Sequence, residues 1–273
     1  MIEIMQLIPV GILAGILGYL LGIGGGVLIV PVLVLIFGYS VHTAVAASLA
    51  SITVGSVLIS ASNLNRNLVN IPLAVTLETV TIFGALVGGY ISVSVSERPI
   101  LIMFSIITLV TAYLMWKKTV STEDAETPPD EGNGFYSGSY MDEVRGRVIH
   151  YRVKKVHLSM MVSAFAGVIS SMLGVGGGFF KVPAMNILSG VPLRVATATS
   201  NFMIGFTAAA GSVAYLFHGY VLPQLAGSII VGVLIGSSFA TAKLRKVTDN
   251  RIKKIFIAVL LLIAVQMFYK ALG

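Results

Sequence analysis

Gly22-Ile-Gly-Gly-Gly-Val-Leu-Ile-Val-Pro31 and Gly174-Val-Gly-Gly-Gly-Phe-Phe-Lys-Val-Pro183 decide how this chain folds. They are one motif, GxGGG with a proline five residues on, written twice at an offset of 152. The register holds far beyond them. Residues 7–118 align with 159–270 without a gap, and 28 of the 112 aligned positions are identical. Gly38 falls on Gly190, Ala44 on Ala196, Ser48 on Ser200, Gly84 on Gly236 and Lys118 on Lys270. Chance matches between apolar segments would not keep one register through both motifs, so the chain reads as a tandem repeat. Residues 1–118 form the first unit, 119–158 a linker and 159–273 the second unit.

Each unit holds five apolar pieces, at about 4–23, 27–38, 41–61, 72–94 and 99–116 in the first. Their counterparts lie at about 156–175, 179–189, 193–216, 222–242 and 254–271. A helix rising 1.5 Å per residue needs about 20 residues to cross a bilayer. Four pieces per unit are long enough; the short second piece reaches only partway, so pieces one and two read as a hairpin with the glycines at its tip.

Composition agrees. Of 273 residues, 56% are hydrophobic and 11% charged, with a mean hydropathy of +0.94. Soluble domains carry about 25% charged residues, so a water-soluble enzyme and a disordered chain are both excluded. The net charge of +7 does not point to nucleic acid, because the charges sit in loops rather than on one face. Fourteen of the 29 charged residues lie between Lys117 and Lys155, and seven more between Lys243 and Lys254. The absence of cysteine removes disulfides, thiolate metal sites and thiol nucleophiles. The first apolar piece lacks a basic start and an Ala-x-Ala site, and reads as a retained helix rather than a signal peptide.

Loop Lys and Arg predict orientation. The six basic residues of 243–254, Arg66, Arg194 and both ends of the linker share one side if each unit crosses five times. That predicts an all-α polytopic membrane protein of two inverted repeats, with the linker cytoplasmic and both termini outside. A parallel arrangement of four plus four crossings is the alternative. The linker, with its Thr-Pro-Pro-Asp-Glu-Gly-Asn-Gly run, reads as a solvated loop, briefly strand-like over 148–156.

The candidate site residues follow from cost. Gly24, Gly25 and Gly26, and Gly176, Gly177 and Gly178, break helices inside the bilayer, which is tolerated only where protein or a wet cavity satisfies the backbone. The amides they free at the start of a half-helix form a positive pocket suited to an anion. The other reading is close helix contact through small residues. Lys181, aligned with Ile29, offers a charge to an anion, or else snorkels to the surface. Glu78, aligned with Ile230, reads either as a proton-coupling acid or as an ion-pair partner, Lys181 among its candidates. Ser48, Ser51 and Gly55 share one face of the third piece, and Thr197, Asn201 and Gly205 one face of its counterpart, with Ser200 beside them. Ser48, Ser200 and Asn201 would donate hydrogen bonds to a substrate, or only hold helices together. Asn186 is a similar candidate; His42 and His218 read as interface residues. No catalytic set, metal-ligand cluster or cofactor motif is present in the sequence, so no enzyme, metal or cofactor is expected. The fifth pieces are expected to face lipid.

The doubled GxGGG-x4-Pro motif resembles the sulfite exporter TauE/SafE family of prokaryotic and plant membrane proteins. So do His42-Thr-Ala-Val-Ala-Ala-Ser48-Leu49 and Arg194-Val-Ala-Thr-Ala-Thr-Ser200-Asn201. The resemblance implies a multi-pass secondary transporter in a prokaryotic cell membrane that exports small sulfur-containing anions such as sulfite, thiosulfate or organosulfonates. Its partners would be a small inorganic or organic anion and the lipid bilayer, with no nucleic acid; a homo-oligomer is compatible with it. A passive anion channel, or a non-transporting scaffold or sensor acting through the 119–158 loop, are the alternative functions.

Overall fold

A computed structural model describes residues 2–117, 134–142, 146–244 and 250–272. The Pro-Pro segment of the linker and the middle of the basic 243–254 loop lie outside the described residues.

Ten α-helices carry the described chain, in two runs of five. The first run is α1 (Ile2–Leu21), α2 (Gly26–Leu35), α3 (Val41–Leu64), α4 (Ile71–Ser94) and α5 (Glu97–Lys117). The second is α6 (Val156–Leu173), α7 (Gly178–Pro183), α8 (Leu193–Phe217), α9 (Pro223–Lys243) and α10 (Asn250–Leu272), with α7 passing into a π-helical turn at Ala184–Leu188. Helices α3, α4, α6, α8 and α9 are long and apolar enough to cross a membrane, and the described parts of α1 and α10 are shorter apolar stretches. The chain is a nearly all-helical, multi-pass membrane protein. At 10 residues α2 spans about 15 Å, half a bilayer core.

Local chemistry sets the boundaries. The Ser40 side chain accepts from the Thr43 N–H at the start of α3, and the Asn70 side chain from the Leu73 N–H at the start of α4. Proline opens α9 at its first position, where its missing N–H costs nothing. Lys270 Nζ reaches from α10 to the Val34 carbonyl (2.7 Å), filling one of the acceptors left open where α2 stops short.

Contacts between the two runs come in matched pairs. Helix α1 packs along α9, and α6 along α4; α3 touches α9 as α8 touches α4; α3 crosses α8, and α5 lies on α10. Glycines make the two longest contacts. Gly11 and Gly15 sit against the Ile229 and Val233 carbonyls, and Gly232 and Gly236 against those of Ile8 and Ile12. In the matching pair Gly84 and Gly88 meet the Ala164 and Val168 carbonyls, and Gly167 meets Thr81. Between helices in lipid no hydrophobic force helps, so backbone approach through small residues supplies the contact. At the α3–α8 crossing Ser60 Oγ donates to the Asn201 carbonyl (3.3 Å), while Gly205 lies against Ser56. Sequence number rises along one helix as it falls along the other, so these equivalent helices run antiparallel. Helices α5 and α10 bury Phe104, Leu260 and Met267, and expose Ile106, Leu109 and Val265 on their other faces.

The linker holds more structure than a solvated loop. Strands β1 (Gly138–Asp142) and β2 (Arg147–Tyr151) pair antiparallel, Tyr140 opposite Ile149. Tyr140, Ile149 and Tyr151 are buried against Leu68, Leu73, Val191 and Val195, at the ends of α3, α4 and α8. Asn70 Nδ2 donates to the Tyr136 carbonyl (2.8 Å) and to the Tyr151 hydroxyl (3.1 Å). The strand expected over 148–156 is realised as β2, which ends at Tyr151, while α6 opens at Val156; the docking of the strand depends on loop residues far away in sequence.

Candidate functional site

The two glycine turns meet at the centre of the molecule. Gly24 and Gly25 have φ of 85° and 74°, and Gly176 and Gly177 have φ of 78° and 73°, a left-handed region that glycine alone enters cheaply. A side chain on Gly26 would overlap the Gly174 carbonyl, and one on Gly178 the Gly22 carbonyl. Each turn is therefore packed on the other with no room for a methyl group. Ser48 Oγ donates to the Gly174 carbonyl (2.7 Å) and Ser200 Oγ to the Gly22 carbonyl (3.3 Å). These serines tie each half to the opposite turn.

Beside the crossing is a narrow cleft, about 260 Å³ including the part open to solvent. Gly15 and Gly18 of α1, Gly24, Gly55 and Ser56 of α3, Asn201 and Ile204 of α8, and Val233 and Ser237 of α9 form its wall. Both halves contribute. Its wall is mostly apolar, with the polar side chains of Ser56, Asn201 and Ser237 set in it. Of the first glycine turn, Gly24 reaches this wall, two residues before α2 begins at Gly26. Asn201 is buried at the α3–α8 crossing. Ser237 is fully buried and its hydroxyl has no hydrogen-bond partner. A buried hydroxyl without a partner costs about 1–3 kcal/mol, a cost that Ser163 and Ser170 of α6 share; Ser237 differs from those two in lining the cleft. Ser237 escaped sequence reasoning because it aligns with Ala85 and looks like one more small residue among glycines and serines.

The two intramembrane charges meet each other. Lys181 Nζ donates to Glu78 Oε2 (3.0 Å) and to Thr207 Oγ1 (2.6 Å), and the Thr207 hydroxyl donates to Glu78 Oε1 (2.6 Å). All three are buried. Lys181 is thus held by a counter-charge rather than left facing an open cavity, and of the two readings of Glu78 the resting structure adopts the ion pair. Asn186 Nδ2 donates to the Val191 carbonyl (2.9 Å) within its own turn. His42 Nε2 lies 3.0 Å from the Ser92 carbonyl and the ring stacks on Tyr220. Among the described residues, no group of His, Asp or Glu is placed to hold a metal ion.

A family model described as "Sulfite exporter TauE/SafE" matches residues 7–267. The chain belongs to the TauE/SafE family. Its relatives include the probable membrane transporter YunE of Bacillus subtilis, 26% identical over 273 residues and 97% of both chains. The probable membrane transporter MJ0441 of Methanocaldococcus jannaschii is 26% identical over 79% of this chain and 74% of its own. A TauE/SafE family protein 6 of Arabidopsis thaliana is 40% identical over 55 residues, 20% of this chain and 12% of its own. No solved structure matches the chain. Family membership, relatives named as transporters and the apolar spans together make this a membrane transporter.

Proposed function

We propose that the protein is a secondary transporter of small oxyanions, sulfite or an organosulfonate first among them, working by alternating access between two inverted repeats. The observation that carries the reading is the fully buried, unpartnered Ser237 hydroxyl in a cleft whose wall also includes Asn201 and Gly24. Hydroxyl and amide donors suit an anion, and two halves meeting at a midplane site is the arrangement of many secondary transporters. The antiparallel α3–α8 crossing supports inversion. In this scheme Gly24 lines the anion, Asn201 and Ser237 donate to it, and Gly25 and Gly26 shape the turn that holds Gly24 in place. Gly176, Gly177 and Gly178, with Ser48 and Ser200, hold the crossing that frames it. The linker face is assigned to the cytoplasm.

As it stands the cleft admits little more than water, so loading requires α1 and α9 to move away from α3 and α8. The test is sulfite, thiosulfate and carboxylate flux in proteoliposomes under an imposed pH gradient. Uphill sulfite movement that Ser237→Ala weakens supports the reading; purely downhill flux makes the protein a channel; absence of flux for every anion overturns it. Labelling the 38–41 and 189–193 loops from either side tests inversion, since inverted repeats place them on opposite faces.

A further inference from the structure

The Lys181 cluster has the form of an occupied anion receptor. Nζ of Lys181 and Oγ1 of Thr207 each donate to a different oxygen of one carboxylate, and Nζ donates to Oγ1 as well. Two donors on two carboxylate oxygens in a buried site is how a protein holds a small carboxylate or oxyanion. Here the carboxylate belongs to the chain itself. The equivalent positions of the repeat carry no charge: Lys181, Glu78 and Thr207 align with Ile29, Ile230 and Gly55. Gly55 lines the open cleft; Thr207 stands at that position in the half where the receptor is filled.

We propose that Lys181 and Thr207 form a second binding site, specific for a small carboxylate or oxyanion, and that Glu78 is its tethered resident. A free anion of formate size enters when Glu78 leaves. The inference rests on the transport reading for its physiological use, though not for its chemistry.

Glu78→Ala vacates the receptor and leaves the lysine without a counter-ion. In purified protein at constant ionic strength, replacing chloride by formate should raise the thermal midpoint of Glu78→Ala by several degrees. Wild type, whose receptor is full, should not respond, and neither should Glu78→Ala/Lys181→Met. Glu78→Gln keeps the volume filled and should stay insensitive to formate. A formate response in Glu78→Ala no larger than in wild type overturns the inference, as does an equal response in Glu78→Gln or in the double variant. If Glu78→Ala aggregates in chloride, the readout becomes the yield of monodisperse protein purified in formate, and no recovery overturns the inference. Sulfite flux by wild type is measured separately. Flux without formate rescue removes this second site alone; rescue without flux removes the transport reading alone.

Discussion

Gly26→Ala tests the crossing of the two turns. Its added methyl would overlap the Gly174 carbonyl and would lie 2.7 Å from Ser48 Oγ and 2.8 Å from Ile52 Cδ1. Comfortable contacts between carbon atoms are about 3.5–4.0 Å, so the turns must part by roughly 1 Å. Overpacking of this kind costs about 1–3 kcal/mol, and more where backbone opposes backbone. Parting the turns also stretches the 2.7 Å bond from Ser48 to the Gly174 carbonyl. Leaving that buried pair unmade adds about 1–3 kcal/mol. The total, about 2–6 kcal/mol, should lower the thermal midpoint in detergent by roughly 4–24 °C, at about 2–4 °C per kcal/mol. Gly227→Ala is the internal control. It lies within α9 with nothing inside 4 Å of an added methyl, and alanine there should be neutral or stabilising by up to about 1 kcal/mol. If Gly26→Ala melts with Gly227→Ala, the turns are not packed as described and the account of the crossing fails.

Ser237→Ala removes a hydroxyl with no partner, so the resting fold should keep or slightly gain stability. Sulfite affinity, read by titration, should fall about tenfold, the equivalent of about 1.4 kcal/mol. Lys181→Met should cost about 3–5 kcal/mol because it strands a buried carboxylate, whereas Glu78→Ile/Lys181→Ile, which copies the other half, should cost far less; paired melts decide this. Asn70→Ala removes the α4 cap and both side-chain bonds to the 134–151 segment, about 1–3 kcal/mol, and should expose the hairpin to protease. Burial pushes the Tyr151 phenol above its ordinary value, against a smaller opposing effect of its Asn70 hydrogen bond. A raised folded-state value means the docking energy is whole below about pH 10 and is lost as pH climbs past it. Proteolysis of the hairpin should therefore rise with alkalinity in wild type, and Tyr151→Phe should flatten that rise.

The helices were legible to within a few residues because hydrophobic length and glycine punctuation are local signals. The second, fourth and ninth helices begin at Gly26, Ile71 and Pro223, each within a residue of the expected piece, while α3 runs three residues longer and α10 starts four residues earlier than expected. The placement of side chains was not legible in the same way. That Ser48 and Ser200 serve the opposite turn follows from the crossing of elements 126 and 178 residues apart. The Lys181–Glu78 pair was hinted at by two lone opposite charges in apolar helices, yet which reading applied depended on a contact spanning 103 residues. Ser237 carried no signal at all, since an orphaned hydroxyl is a property of its neighbours and not of its own position.

Among the described residues, the hairpin touches both runs of helices at the ends of α3, α4 and α8. Asn70 belongs to the first run and Val191 to the second, and the small sheet rests on the neighbourhood of each. A rotation of one half against the other must therefore pivot near those helix ends and swing widest away from them. In the alternating-access scheme proposed above, the two faces would then be mechanically unequal, one stapled by the sheet and one free.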